Sequence, residues 1–263
     1  METPLNTDFA PAASTETVET LDTGSKTLAA NFIAAHAQSP LVPPTGGDFH
    51  AAFPLKDDAK VAFVLGDVAG HGAEAAVQAE YLKEAITGCL DEGLTPSDAL
   101  GFVNAAAEMD PEFPGFATVI AGTVETETGH IEYASGGHEP ALLAAPTTAA
   151  GPSAHKPVSV QELIGTGPPV GAFPAEEVRY ESRQATLPPG GTLLLYSDGL
   201  TEARRGRAFL GVERLRAWLV RFLPLSPARL VRKLLGQVRA FAGTRKLRDD
   251  AALLALRRRP KRP

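Results

Sequence analysis

The chain has 263 residues, a formal net charge of −6 and a sequence isoelectric point near 5.6, with 44% hydrophobic and 21% charged residues. This composition is typical of a globular protein with a sizeable core, and the acidic balance argues against general affinity for nucleic acid. No apolar run approaches the ~18 residues that span a bilayer, and the N-terminus lacks the layout of a signal peptide. We therefore expect a cytoplasmic protein without membrane or nucleic-acid partners.

Cysteine usage is consistent with that compartment. The chain has a single cysteine, Cys89, which cannot form an internal disulfide and fits a reducing environment. Cys89 stands in a helical pattern of apolar residues, so we predict that it belongs to the core.

The N-terminal part predicts a tail, a loop and a hairpin. Residues 1–27 are rich in Thr, Ala, Pro and acids without a hydrophobic period, which predicts a flexible tail. Residues 28–35 fit either a helix or an edge strand, and the prolines that follow predict a loop that ends at Gly46-Gly47-Asp48. A β-hairpin is predicted next, with strands at residues 49–55 and 60–65 and a turn at residues 56–58.

Two helices are predicted after the hairpin. Apolar residues spaced by three and four positions place one face of the first helix on Ala75, Ala79, Leu82, Ile86 and Cys89. The second helix has a capping residue, Thr95, and a proline at its first position, and it is predicted to run to about residue 108.

The rest of the chain alternates strands with a further helical pair. Strands are predicted at residues 116–124, 129–135, 141–144, 158–164, 178–186, 192–197 and 251–256. Helices are predicted with apolar faces at residues 212–222 and 230–241, and a basic tail at residues 258–263. Together the elements predict an α+β fold in which helical pairs flank a central antiparallel β-sandwich, in one domain at residues 28–257.

Four aspartates share one setting, because each stands at an end of a predicted strand beside a glycine or another acid: Asp48, Asp67, Asp198 and Asp249. Four carboxylates collected at one end of a sandwich repel each other unless divalent ions neutralise them, and oxygen ligands favour Mg²⁺ or Mn²⁺ over Zn²⁺. Each aspartate alone also fits ordinary turn chemistry. We interpret Asp67, which lies between a strand and a glycine-rich helix start, as the central ligand of a two-metal hydrolytic site.

Seven short motifs in a fixed order resemble a known family. They are Gly46-Gly-Asp-Phe49, Gly66-Asp-Val-Ala-Gly-His-Gly72, Phe116-Ala-Thr118, Tyr133-Ala-Ser-Gly-Gly-His-Glu-Pro140, Gly167-Pro-Pro-Val-Gly171, Leu195-Tyr-Ser-Asp-Gly-Leu-Thr-Glu-Ala203 and Arg248-Asp-Asp250. In this order they resemble the SpoIIE/RsbU-like branch of the bacterial metal-dependent (PPM-type) protein serine/threonine phosphatases, over residues 28–257.

The resemblance implies a site and a reaction. It implies two Mn²⁺ or Mg²⁺ ions held by Asp48, Asp67, Asp198 and Asp249, with Asp67 bridging both ions and the backbone carbonyl of Val68 as a further ligand. It implies hydrolysis of phosphoserine or phosphothreonine by a water held between the ions. The implied substrate is a STAS-type anti-anti-sigma regulator in a partner-switching pathway, with a possible activating partner.

Four departures and alternatives bear on these implications. His71 lies four residues after Asp67, whereas eukaryotic relatives carry a His two residues on, so a catalytic role and a helix-start role both remain. Ala51 stands where many relatives have a second acid, which leaves open a phosphatase-like adaptor that binds a regulatory partner. His138, beside two glycines, fits packing or a turn better than catalysis. A nucleotide-binding loop at residues 66–72 is disfavoured because it lacks Gly-Lys-Ser/Thr.

Overall fold

The computed structural model describes residues 22–41, 46–56, 59–70, 72–110, 113, 115–147 and 157–260. Thirteen strands lie in this described part: β1 (Asp22–Ala29), β2 (Phe32–Ser39), β3 (Asp48–Pro54), β4 (Lys60–Val68), β5 (Ala117–Glu125), β6 (His130–Gly136), β7 (Ala141–Pro146), β8 (Val158–Leu163), β9 (Arg183–Thr186), β10 (Thr192–Tyr196), β11 (Arg204–Arg205), β12 (Ala208–Phe209) and β13 (Ala251–Arg258). The same part has five helices: α1 (Ala73–Asp91), α2 (Pro96–Met109), α3 (Asp198–Thr201), α4 (Val212–Phe222) and α5 (Pro227–Ala242).

The strands form two large sheets and one small hairpin. The six-stranded sheet has the order β1-β2-β13-β10-β7-β8, and the five-stranded sheet has the order β3-β4-β5-β6-β9. Neighbouring strands in both sheets are antiparallel. Strands β11 and β12 form the separate hairpin, which the sequence pattern does not predict.

Three apolar cores connect the layers. Side chains such as Phe32, Phe63 and Leu195 fill the space between the two sheets. Helices α1 and α2 cover the five-stranded sheet through a core that includes Leu82, and α4 and α5 cover the six-stranded sheet through a core that includes Leu234. The order helix, sheet, sheet, helix confirms the predicted α+β sandwich flanked by helical pairs.

The position of strand β10 between two apolar cores explains its continuous apolar sequence. Leu193 and Leu195 join the core between the sheets, whereas Leu194 and Tyr196 join the core beneath α4 and α5. Because successive side chains of a strand point to opposite faces, a strand covered on both faces needs apolar residues at every position.

Helices α1 and α2 follow their predicted patterns with one exception. The hydroxyl of Thr95 caps α2 by accepting a hydrogen bond from the backbone N–H of Asp98 at 3.2 Å. On α1 the half-buried Cys89 packs against the core beneath α1 and α2, as predicted, but Leu90, four residues after Ile86, takes the last fully buried place on that face. No helix of the described residues is both long and apolar enough to cross a membrane.

The folded part begins earlier than predicted. Residues 22–27, assigned to a flexible tail, form most of β1, which pairs with β2 in a hairpin, so residues 28–35 are not helical. Strand β1 is the edge of its sheet, and its exposed positions carry Ser25, Lys26 and Thr27, so it lacks the apolar period that identifies a strand. The rest of the predicted tail, residues 1–21, lies outside the described residues, as does most of the predicted turn at residues 56–58.

The C-terminal boundary also differs from the prediction. Arg258, assigned to a basic tail, is 5% exposed and belongs to β13. Its guanidinium donates hydrogen bonds to the carbonyls of Thr128, at 2.7 Å, of Leu187, at 3.1 Å, and of Glu127. Arg258 thus holds two turns at one end of the sandwich. The sequence pattern shows the charge of this residue but not these contacts.

We predict that Arg258→Met lowers the free energy of unfolding by about 2–4 kcal/mol, because it leaves buried carbonyl oxygens without donors. Urea unfolding followed by circular dichroism measures the change. The matched control is Arg259→Met, since that half-exposed side chain makes longer contacts of 3.2 and 3.4 Å. Equal losses from the two variants would contradict the structural role of Arg258.

Candidate metal centre

The four predicted aspartates come from both sheets and meet at one end of the sandwich. Asp48 begins β3 and lies directly opposite Asp67 of β4 in the strand register. Asp198 begins α3, immediately after β10, and Asp249 stands two residues before β13, which pairs with β10. Asp198 and Asp249 lie close enough to Asp67 that their charges raise its pKa. We call the end formed by these four aspartates the acidic pole.

Ser197 connects the two sheets at the acidic pole. Its fully buried hydroxyl donates a hydrogen bond to Oδ2 of Asp48 at 2.7 Å and accepts one from the backbone N–H of Ala252 at 2.9 Å. This contact joins the start of β3 to the end of β10 and the start of β13. Sequence reasoning missed the role of Ser197, although its place in the Ser-Asp-Gly motif was a signal.

The other oxygen of Asp48 has no hydrogen-bond partner. Asp48 is 5% exposed, and its Oδ1 is a buried atom without a partner in the described structure. Burial, and then the charge of Asp67, raise the pKa of Asp48 well above its ordinary value, while the hydrogen bond from Ser197 opposes this shift. A buried carboxylate with an unpartnered oxygen is costly, and a cation would compensate it.

Burial and like charge also act on the other members of the acidic pole. Burial, followed by the charges of Asp198, Asp249 and Asp250, raises the pKa of Asp67 from 3.8 to about 7. The pKa of Asp198 is raised by burial and then by Asp249 and Glu202. A bound cation would relieve this mutual repulsion.

The backbone at the acidic pole leaves no space for a side chain at Gly47. A Cβ atom there would lie 2.6 Å from the carbonyl oxygen of Val68 and 3.1 Å from Oδ1 of Asp67. The N–H of Val68 donates to the Gly47 carbonyl at 3.1 Å, which fixes the two segments side by side. The carbonyl of Val68 and the carboxylate of Asp67 therefore both lie beside Gly47.

The two adjacent acids Asp249 and Asp250 have different surroundings. Asp250 is 4% exposed and accepts hydrogen bonds from the backbone N–H groups of Leu41 and Gly47, the latter at 2.7 Å. Asp249 is exposed, and its Oδ1 accepts a hydrogen bond from the N–H of Asp250 at 2.9 Å. Asp250 thus holds the loop before β3, and Asp249 is the acid that remains available to a ligand.

Gly199 allows the close approach of the two segments that carry Asp198 and Asp249. A Cβ atom at Gly199 would lie 1.8 Å from the backbone oxygen of Asp250, a separation that no side chain can tolerate. The glycine of the Ser-Asp-Gly motif is therefore required by packing.

The donor set fits hard divalent cations, although the carboxylates are not closed around a point. Within the described residues, no three His, Cys, Asp or Glu side chains stand together at metal-coordinating separations. The unpartnered oxygen of Asp48 and the all-oxygen character of the pole fit Mg²⁺ or Mn²⁺.

Of the two histidines that the motifs contain, only His138 lies in the described part of the chain. His138 is buried, its Nδ1 lies 2.8 Å from Oγ1 of Thr118, and burial lowers its pKa to about 4. Its environment therefore keeps the ring neutral beside Thr118, which is the register partner of Asp67. His71 lies outside the described residues. Ala51 packs with the core beneath α1 and α2 and adds no acid.

One further acid belongs to this end of the molecule. Glu139 is half-buried, and its pKa is raised by burial and then by the charges of Asp198 and Glu202. Sequence reasoning did not select Glu139, because its motif pointed to His138 and the adjacent glycines.

The fold and the acidic pole together define a class of protein. An antiparallel sandwich between two helical pairs is the architecture of PPM-type (PP2C) phosphatase domains. A family model described as Stage II sporulation protein E (SpoIIE) matches residues 57–259, which is most of the chain. The chain belongs to the SpoIIE family, and the resemblance drawn from the seven motifs is confirmed.

Individual relatives agree with this assignment. The phosphoserine phosphatase RsbU of Bacillus subtilis is 25% identical over 205 residues, which are 78% of this chain and 58% of RsbU. The crystal structure of the RsbU and RsbW domains of Rv1364c from Mycobacterium tuberculosis is 27% identical with a TM-score of 0.72, and the match covers 91% of this chain and 63% of that one. The chain thus spans less than two thirds of either relative.

A more distant solved structure shares the fold. The crystal structure of RsbX in complex with magnesium is 15% identical, with a TM-score of 0.63, and the match covers 89% of this chain and 98% of that chain. At this identity the likeness concerns the fold alone.

We predict that the protein in EDTA becomes less stable as the pH rises through about 7, because the folded state holds a proton on Asp67 that the unfolded state releases near 3.8. Urea unfolding at about pH 5.5 and about pH 8 measures this difference. Asp67→Asn removes part of the pH dependence, and Glu176→Gln, at an exposed position outside the pole, is the control that keeps it. An unchanged pH dependence in Asp67→Asn would show that Asp67 is not the titrating group.

Proposed function

We propose that the chain is a metal-dependent protein serine/threonine phosphatase that hydrolyses a phosphoserine or phosphothreonine ester at the acidic pole. The observation that supports it most directly is the unpartnered, buried Oδ1 of Asp48 beside Asp67, whose own pKa is raised by burial and then by its acidic neighbours. A positive ligand would compensate the unpartnered oxygen and the repulsion between the acids. The family and the named phosphatase among its relatives indicate the reaction.

Two Mn²⁺ or Mg²⁺ ions, when bound, supply an acidified water and positive charge for the phosphoryl oxygens. Asp67 is the proposed bridging ligand, and Asp48, Asp198, Asp249 and the carbonyl of Val68 are the others. Ser197 orients Asp48 by binding one of its oxygens. Asp250 holds the loop at Gly47 and so keeps the backbone beside Val68 in place. The solved RsbX structure, which has this fold, is named as a magnesium complex.

The proposed substrate is a phosphorylated STAS-type anti-anti-sigma regulator in a partner-switching pathway of the cytoplasm, with a possible activating partner. The support is the relation to RsbU and to a solved chain that joins an RsbU domain with an RsbW domain. The reaction releases inorganic phosphate and the free hydroxyl of the serine or threonine, with water as the only co-reactant.

The alternative is a catalytically weak adaptor that binds a regulatory partner through the same fold. It is favoured by Ala51, which leaves strand β3 without a second acid, and by carboxylates that are not closed around a point. The two proposals differ in one observable, metal-dependent turnover.

We predict that Asp67→Asn lowers the turnover of para-nitrophenyl phosphate and of a phosphoserine peptide by at least about a hundredfold, because the central metal ligand is lost. The variant stays folded, since the substitution preserves side-chain size and removes a repulsive charge. Initial rates at saturating Mn²⁺ and a urea unfolding curve check both statements. The exposed substitution Glu176→Gln serves as the matched control and keeps wild-type turnover. Activity in Asp67→Asn near that of the wild type would exclude a central role.

Removal of divalent ions tests the metal dependence separately. Excess EDTA is expected to abolish the turnover of para-nitrophenyl phosphate, and Mn²⁺ or Mg²⁺ added beyond the chelator restores it. Turnover that persists in EDTA would contradict the proposed chemistry. Failure of every divalent ion to give turnover would favour the adaptor.

A further inference from the structure

A depression of about 350 Å³ with basic walls lies between the β11–β12 hairpin and the end of α5. Its charged walls are Arg204, Lys246 and Arg248, and Gly206 and Leu247 complete much of its surface. We call it the basic depression. Ala203 and Arg248 belong to the seven motifs, but no residue that lines the depression is a proposed metal ligand.

The hairpin side of the basic depression is held by local contacts. Arg204 pairs with Phe209 across the hairpin, and its guanidinium lies 4.2 Å from the centre of the Phe209 ring. The backbone N–H of Leu210 donates to the carbonyl of Ala203 at 2.9 Å, which closes the base of the hairpin. Gly206, at a φ of 62°, makes the tight turn at its tip.

The opposite side is formed by the loop between α5 and β13. Helix α5 ends at Gly243 in the left-handed conformation, and the hydroxyl of Thr244 donates to the carbonyl of Lys246 at 3.1 Å. The side chain of Leu247 is buried in the core beneath α4 and α5. Because Leu247 anchors the loop, its neighbours Lys246 and Arg248 are held at the surface.

The charge of this surface is not compensated by salt bridges. Six exposed basic residues lie on the hairpin and the loop: Arg204, Arg205, Arg207, Arg245, Lys246 and Arg248. Among the described residues, the ion pairs involve other basic side chains. In a chain with a net charge of −6, such a concentration of positive charge favours an anionic partner.

The basic depression and the acidic pole share the same two chain segments. The single turn α3 begins with Asp198 and leads to Ala203, which lines the depression. On the other segment, Arg248 lines the depression and Asp249 follows it directly. A substrate whose phosphorylated residue reaches the acidic pole would therefore bring its flanking residues to the basic depression.

We propose that the basic depression binds acidic side chains that flank the phosphorylated residue of the substrate protein. This proposal rests on the proposed phosphatase function. Carboxylates of the substrate would interact with Arg204, Lys246 and Arg248, and this attraction would offset the repulsion that an acidic substrate meets at the acidic pole. The basic depression thus selects phosphoproteins with Asp or Glu near the phosphorylated site.

The test compares two phosphoserine peptides of equal length, one with Asp and Glu flanking the phosphoserine and one with Asn and Gln at the same positions. The wild-type protein is expected to prefer the acidic peptide in kcat/KM, and Lys246→Glu to reduce the acidic-to-neutral ratio about fivefold at low salt. The control Arg232→Glu introduces the same charge change at an exposed position in the N-terminal half of α5 and leaves the ratio unchanged.

Arg204→Gln is the second variant and is expected to reduce the same ratio, which guards against a folding defect specific to Lys246→Glu. Urea unfolding establishes that each variant is folded. A ratio that is equal in the wild type, Lys246→Glu and Arg204→Gln would overturn the proposal while the phosphatase function stands.

Fluorescence anisotropy of the labelled acidic peptide tests binding without turnover. If the wild type hydrolyses no phosphate ester, the phosphatase function fails, and weaker peptide binding by Lys246→Glu than by Arg232→Glu would still support the depression as an acidic-peptide site. Equal binding by the two variants would overturn it. An oligonucleotide that displaces the acidic peptide at equal concentration would also overturn it, because the surface would then be a general polyanion site.

Discussion

The carboxylates of the acidic pole repel each other. Contacts made elsewhere in the molecule must therefore hold them together. Asp48 and Asp67 are opposed in the β3–β4 register, and Ser197 of the other sheet binds Asp48. Burial and like charge raise the pKa of Asp67 and of Asp198, so their proximity opposes folding. The three apolar cores must supply the stability that keeps these acids adjacent. A bound cation would complement the negative charge of the acids.

A second set of contacts gives the pole its shape without binding a ligand. Asp250 accepts hydrogen bonds from two backbone N–H groups, and Gly47 and Gly199 let neighbouring segments approach where a Cβ atom would collide.

The surface of the molecule carries two regions of opposite charge next to each other. The acidic pole suits cations, whereas the basic depression built around Arg204 and Lys246 suits an anionic chain, and adjacent regions of opposite sign would orient a phosphorylated segment between them.

Motif order and hydrophobic period predict much of this molecule, and their failures have physical causes. The sandwich, the helix cap at Thr95 and the gathering of Asp67 with Asp198 follow from short-range patterns. The sequence pattern does not predict strand β1, because an edge strand has polar positions. It does not predict the role of Arg258, because the carbonyls that accept its hydrogen bonds belong to residues more than seventy positions away. The roles of Ser197 and Asp250 are not predicted for the same reason, since their hydrogen-bond partners lie on other strands and loops.

The sequence by itself determined the class of fold, the family and the identity of the acids at the pole, because these depend on local periodicity and on short motifs in a fixed order. Only the tertiary structure decided which oxygen of Asp48 lacks a partner, which of Asp249 and Asp250 is used to hold a loop, and where the exposed arginines and Lys246 lie relative to the pole. Those properties depend on distances between segments far apart in the chain, and such distances are set by packing rather than by neighbouring residues.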